Sequence, residues 1–132
     1  MNSKIFELPL IELQPSQLYI SEAKLAAVRI WFNPVDKSKF VPIPIKRFKG
    51  KYMMTDGHTR AVQAVLAGWK NVPVIWDIDE LDMAAYAECV RWCEAAEIKS
   101  AVDLIRFIVS AEEYINLWDS RCDELHRSIK SG

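Results

Sequence analysis

Long apolar runs are missing from this sequence. No stretch approaches the ~20 consecutive apolar residues that a membrane-spanning helix needs. Near the start, Glu7 and Pro9 interrupt the apolar core that a signal peptide would require, so none is expected. Glycine and proline number only four and six, which excludes a collagen-like or low-complexity chain. Cysteine is also scarce. Three residues, an odd number, do not make a secreted disulfide frame and fit a reducing cytosol. A Walker glycine-lysine motif, a Gly-x-Ser-x-Gly elbow and a Ser/His/Asp set are all absent. A large excess of one charge is absent too. At a net −1 the chain is too neutral for a protein committed to wrapping duplex DNA.

What is present suits a single globular domain. The 132 residues, 51% hydrophobic and 27% charged, can bury roughly two thirds of their unfolded surface without disulfides or a structural metal. The near-zero charge hides a split. Residues 1–78 carry eleven Lys/Arg against six Asp/Glu, a net +5, and residues 79–132 carry six against twelve, a net −6. The basic side chains are densest at Lys37, Lys39, Lys46, Arg47, Lys49 and Lys51, a cluster expected to attract phosphates or other small anions.

Periodicity gives the elements. Ile5 to Leu13 alternates as a strand, and Ser21 caps a helix from Glu22 to Phe32 with Leu25, Val28, Arg29 and Phe32 on one face. Val41–Phe48 and Lys51–Thr55 form a hairpin around Lys49-Gly50. Gly57 to Gly68 is helical, with Gly68 as its C-terminal cap, and Val72–Trp76 is a buried strand. Beyond it, helical spacing covers Asp79–Glu97, a shorter helix covers Asp103–Ser110, and Ile115, Trp118, Cys122, Leu125 and Ile129 stripe a long last helix. The expected architecture is α+β: a small mixed sheet with flanking helices over 1–78, then a helical C-terminal tail over 79–132 packed on it as one folding unit. No strand is expected beyond residue 80.

One stretch carries chemistry: Lys51-Tyr-Met-Met-Thr-Asp-Gly-His-Thr-Arg-Ala61. It runs strand, glycine turn, helix, so its free amides and the helix dipole favour an anion. Gly57 permits close backbone approach, and Arg60 offers a planar fork matched to phosphate. His58 can donate to a phosphate or move a proton, and Asp56 can act as a base or hold a divalent cation. A plainer reading of the same residues stands beside this one. Asp56 then only caps the helix, Gly57 only makes the turn, and Arg60 only pairs with an acid.

Taken with Glu7-Leu-Pro-Leu-Ile-Glu-Leu-Gln-Pro-Ser16 and Ala67-Gly-Trp-Lys-Asn-Val-Pro-Val74, this stretch resembles the ParB/sulfiredoxin-like superfamily over roughly residues 5–78. The resemblance implies that the glycine turn and its arginine bind nucleotide phosphates. Sulfiredoxin's cysteine has no counterpart, since His58 and Thr59 occupy those positions, and the Glu-Arg-Arg turn of ParB clamps is likewise missing. The free serine kinase branch, with Asp-Gly-His-His-Arg, is nearest. Asp56, Gly57, His58 and Arg60 match it, and Thr59 replaces the second histidine. That branch implies a small-molecule kinase acting on an amino-acid hydroxyl with ADP or ATP and Mg²⁺. Gly57, His58, Thr59 and Arg60 would hold the nucleotide, Asp56 and His58 would act in catalysis, and Glu12 loosely matches the upstream glutamate.

Two other classes of function stay open. One is a non-catalytic regulatory or adaptor module whose helical tail meets a protein partner. The other is a nucleic-acid-binding protein using the basic hairpin. Cys89, Cys93, Cys122 and His126 have i, i+4 spacings that could hold zinc. However, each cysteine lies on an apolar stripe, so packing as a reduced, buried residue is expected and no metal ligand is assigned. Most of the five tryptophans, Trp31, Trp69, Trp76, Trp92 and Trp118, are expected in the core.

Overall fold

A computed structural model describes residues 4–131; residues 1–3 and 132, which belong to the expected core and tail respectively, lie outside it. The fold is α+β. Five strands make a curled mixed sheet in the order β1-β6-β4-β5-β2. They are β1 (Phe6–Pro9), β2 (Leu13–Gln14), β4 (Ile43–Phe48), β5 (Lys51–Met54) and β6 (Asn71–Trp76). β4 runs antiparallel to β5 and parallel to β6, β1 is antiparallel to β6, and β2 is parallel to β5. The hairpin turns on Lys49 and Gly50, both at positive φ, as a two-residue turn matched to strand twist requires. The stretch expected as one strand, Ile5–Leu13, is broken in the middle. After Pro9 the chain makes a 3₁₀ turn at Leu10–Glu12 that lets Leu10 sink into the core.

Helix α1 (Glu22–Trp31) begins at Ser21, whose hydroxyl accepts the Lys24 N–H. Helix α2 (His58–Leu66) begins after Gly57 in the left-handed region and ends before Gly68, also at positive φ. α2 lies between two apolar clusters. Ala61 and Ala64 pack with the sheet residues Ile43, Ile45, Met54, Val72 and Val74. Val62 packs with Leu18, Ile20, Leu25 and the residues that follow the sheet, among them Cys89, Cys93, Leu104 and Trp118.

The C-terminal part corrects the expectation of a purely helical tail. Helix α3 (Met83–Ala95) forms, but the stretch expected as a helix over Asp103–Ser110 is a 3₁₀ helix at Ala101–Phe107 followed by strand β7 (Ile108–Val109). β7 pairs in parallel with β3 (Ile20–Ser21), so a strand does lie beyond residue 80. Two capping boxes cause this. Ser100 with Asp103 starts the 3₁₀ helix, and Ser110 with Glu113 starts helix α4 (Ala111–Tyr114), leaving β-branched Ile108 and Val109 extended between them.

The long last helix is also interrupted. A π turn at Ile115–Asp119 joins α4 to helix α5 (Ser120–Ser131). The extra residue in that turn shifts the stripe, so Tyr114 and Trp118 are buried while Ile115 is exposed. Trp118 is buried and Trp69 and Trp92 pack half-buried against the two clusters, whereas Trp31 and Trp76 are exposed, because each falls at the end of its element. No helix among the described residues is long and apolar enough to cross a membrane.

The two parts of the chain are tied by polar contacts as well. Gln14 Nε2 donates to the Ile98 carbonyl at 3.0 Å, Tyr86 Oη donates to the Thr55 carbonyl at 2.9 Å, and Lys51 meets Glu94 at 2.9 Å.

Candidate functional site

The glycine turn lies where β5, α1, α3 and the C-terminal helices converge. Gly57 has φ +77°, and a Cβ there would fall 2.8 Å from an Arg60 guanidinium nitrogen and 2.9 Å from Ile43 Cδ1. Glycine is therefore required twice, for its backbone conformation and for the space. The first i→i−4 bond of α2 runs from the Ala61 N–H to the Gly57 carbonyl. The amides of His58, Thr59 and Arg60 precede it and have no partner within the helix.

That N-terminal turn faces a cavity of about 180 Å³. Gly57, His58, Thr59 and Arg60 line it from α2, Lys24 from α1, and Tyr114 from α4. The Lys24 ammonium stands 4.4 Å from the Tyr114 ring centroid, placing a cation at the rim. A second cavity, of about 200 Å³, adjoins it and shares Gln17, Asp56 and His58. Its other walls are Tyr86 and Cys89 of α3, with Trp118, Cys122 and His126 from the C-terminal segment.

His58 is buried, and its Nε2 accepts the Ser16 backbone N–H at 2.9 Å. The Ser16 hydroxyl donates elsewhere, to the Met54 carbonyl at 2.7 Å. Nε2 is therefore unprotonated and the ring proton sits on Nδ1. Burial lowers the His58 pKa from 6.5 to about 4, with nearby Asp56 opposing and Arg60 adding to the effect. At neutral pH His58 is a neutral donor with a fixed tautomer.

Arg60 donates from Nε to the Val41 carbonyl at 3.0 Å and from a terminal nitrogen to the Pro42 carbonyl at 3.1 Å. It pairs with backbone oxygens, and no ion pair among the described residues includes it. The guanidinium thus anchors the segment before β4 while one side lines the cavity. Burial lowers its pKa, with Asp56 opposing. Asp56 is exposed, and its Oδ1 accepts the adjacent Gly57 N–H at 2.7 Å.

The structure thus brings together Asp56, Gly57, His58, Thr59 and Arg60. Glu12 stands apart, exposed on the 3₁₀ turn before β2, and lines neither cavity. The basic cluster also lies elsewhere. Lys37 pairs with Glu7, Lys51 with Glu94, and Arg47 stacks between Tyr52 and Trp76, 5.0 and 5.9 Å from their ring centroids.

The cysteines are free, with Cys89 and Cys93 buried and Cys122 half-buried. Burial raises the Cys89 and Cys93 pKa values to about 12 and that of Cys122 to about 11. Among the described residues no group of three or more His, Cys, Asp or Glu side chains is arranged to hold a metal ion.

Sequence reasoning missed Lys24, Gln17, Tyr86, Tyr114 and Asp82. None sits in a motif. Lys24 reaches the site because α1 packs beside α2, and Tyr114 because α4 packs against α1 and β3, so no local pattern marks either residue.

No protein-family model matches the sequence, and no curated protein matches it. Among solved structures, one that is similar is the crystal structure of protein Atu1540 from Agrobacterium tumefaciens. It shares 11% sequence identity at a TM-score of 0.49, over 74% of this chain and 51% of that one. The chain therefore spans about half the length of that protein.

Proposed function

We propose that this protein is a cytoplasmic phosphate-binding domain of the ParB/sulfiredoxin-like kind, taking ADP or ATP with Mg²⁺ and passing a phosphoryl group to a small hydroxyl compound. The observation that carries the reading is the cavity at the start of α2. There His58, Thr59 and Arg60, whose amides are free of helix bonds, line one space together with Lys24 and Asp56. The amides and the two cations, Lys24 and Arg60, favour phosphate oxygens, and together they are typical of sites where binding is mostly positioning and charge stabilisation.

Asp56 beside this site would repel a bare phosphate. It suits Mg²⁺, which binds through one or two carboxylates plus the phosphates themselves. The metal would supply charge neutralisation on the phosphates. Asp56 would take the acceptor's proton while the acceptor oxygen bonds to phosphorus and the bond to the nucleotide's bridging oxygen breaks. The adjoining cavity supplies room for the organic part of a ligand. His58, with its pKa held near 4, acts in this scheme as a hydrogen-bond donor and moves no proton.

That neutrality also favours a second reading, a regulatory module that binds nucleotide without turnover. A melting-temperature series with ADP, ATP and CTP, with and without Mg²⁺, tests binding, since ligand at 100-fold over its dissociation constant stabilises by about 2.7 kcal/mol. Product analysis with a panel of small hydroxyl compounds then separates the two. Binding with phosphorylated product supports the kinase, and binding without product supports the module. No shift with any nucleotide overturns both.

A further inference from the structure

The cavity beneath the C-terminal helices differs in chemistry from the phosphate end that it adjoins. Its lining carries two carboxylates, Asp56 at one side and Asp82 at the start of α3, and no Lys or Arg; besides His58, its one basic side chain is His126. Neither carboxylate belongs to an ion pair among the described residues. Each uses one oxygen locally, Asp56 on the Gly57 N–H and Asp82 on the Ala85 N–H at 3.1 Å. The negative field there also contributes to raising the Tyr86 pKa, after burial, through Asp56 and Asp77. Between the acids the wall is apolar, made by Trp118, Leu125 and the thiols of Cys89 and Cys122.

A second group points to a ligand independently. His58 is 4% exposed, and its Nδ1–H has no hydrogen-bond partner among the described residues. No fully buried polar side-chain atom among those residues lacks a partner, so Nδ1 reaches the open space where the two cavities that His58 lines adjoin. It is a buried donor held in one tautomer by Ser16, waiting for an acceptor oxygen.

We propose that this cavity binds a small amino alcohol with an apolar body and no carboxylate. The ammonium meets Asp82, the hydroxyl accepts from His58 Nδ1–H and donates to Asp56, and the apolar body lies against Trp118. An amino acid is disfavoured because its carboxylate would face two acids with no Lys or Arg in the lining to pair with. The inference deepens the phosphate-binding reading by naming the acceptor chemistry. It is tested without nucleotide, so that the two can fail separately.

The experiment is a calorimetric titration of the full chain, free of nucleotide and divalent metal, with phenylalaninol and three analogues. Phenylpropanol lacks the amine, phenethylamine lacks the hydroxyl, and phenylalanine adds a carboxylate. Phenylalaninol is expected to bind at least about tenfold tighter than each, the loss expected from removing one charge-assisted contact or adding one repulsion. Asp56→Asn and Asp82→Asn keep the local acceptors, since asparagine caps as well as aspartate, and each should weaken phenylalaninol about tenfold with little change in melting temperature. Equal or tighter binding of any of the three analogues, or no saturable binding of phenylalaninol, overturns the proposal. Should either variant unfold, the analogue series on the unaltered protein decides by itself.

Discussion

At the scale of single residues, His58 and Gly57 bear the most constraint. Folding depresses the His58 pKa from 6.5 to about 4, so between those pH values the unfolded chain binds a proton that the native state refuses. The contribution of His58 is therefore fully present above pH 6.5 and is lost as pH falls through about 4, amounting to about 3 kcal/mol. Urea midpoints of the wild type and His58→Gln, followed from pH 7 to 4, should converge as the wild type loses this share. Parallel curves would remove the buried neutral histidine from the account.

Gly57 and Gly50 make a controlled pair. Both have positive φ, +77° and +78°, but a Cβ at Gly50 meets nothing within 4 Å whereas one at Gly57 collides with Arg60 and Ile43. Gly50→Ala should cost only the left-handed strain, about 1–2 kcal/mol. Gly57→Ala should cost more, by about a further 1–3 kcal/mol of overpacking. Chemical denaturation of the two variants checks the order.

Among elements, the C-terminal segment departs furthest from its sequence pattern. Periodicity found α1, the hairpin, α2, β6 and α3, because each has a cap, a turn or an apolar run that acts locally. It missed β7, whose two residues are left extended between two capping boxes and become a strand by pairing with β3, 88 residues earlier in the chain, Ile20 with Ile108. It missed the π turn for a related reason. The spacing Ile115–Trp118–Cys122–Leu125 is good helical spacing, and what moves Ile115 outward is Tyr114 packing into the second cluster. Trp118 then sits at 6% exposure, edge-to-face with Trp92 at 6.1 Å, and forms the wall of the second cavity. Trp118→Ala should destabilise by about 3–5 kcal/mol. A loss below about 1 kcal/mol in a thermal or urea melt would mean that the segment is not seated as described.

For the molecule as a whole, charged residues from distant parts of the chain meet at one site. Lys24 and Arg60 line the cavity at α2, Asp82 lines the neighbouring one, and Asp56 lines both. The motif from Asp56 to Arg60 was legible because glycine turn and helix start are consecutive in the chain. Lys24, Tyr86 and Tyr114 were not, because tertiary packing alone brings them in. Of the dense run from Lys37 to Lys51, Lys37 pairs with Glu7, Lys51 with Glu94, and Arg47 stacks on Tyr52 and Trp76, and none of the run lines the cavity at α2.

Arg60 holds the carbonyls of Val41 and Pro42, so Arg60→Ala mixes lost binding with a loosened chain. Lys24 is exposed on α1 and makes no ion pair among the described residues, which makes it the cleaner probe. The most direct test is a calorimetric titration of Mg²⁺-ATP into the wild type and Lys24→Ala at the same ionic strength. The account predicts saturable binding to the wild type and roughly tenfold weaker binding to the variant at an unchanged melting temperature. No binding by the wild type, or equal affinity in the two proteins, would contradict it.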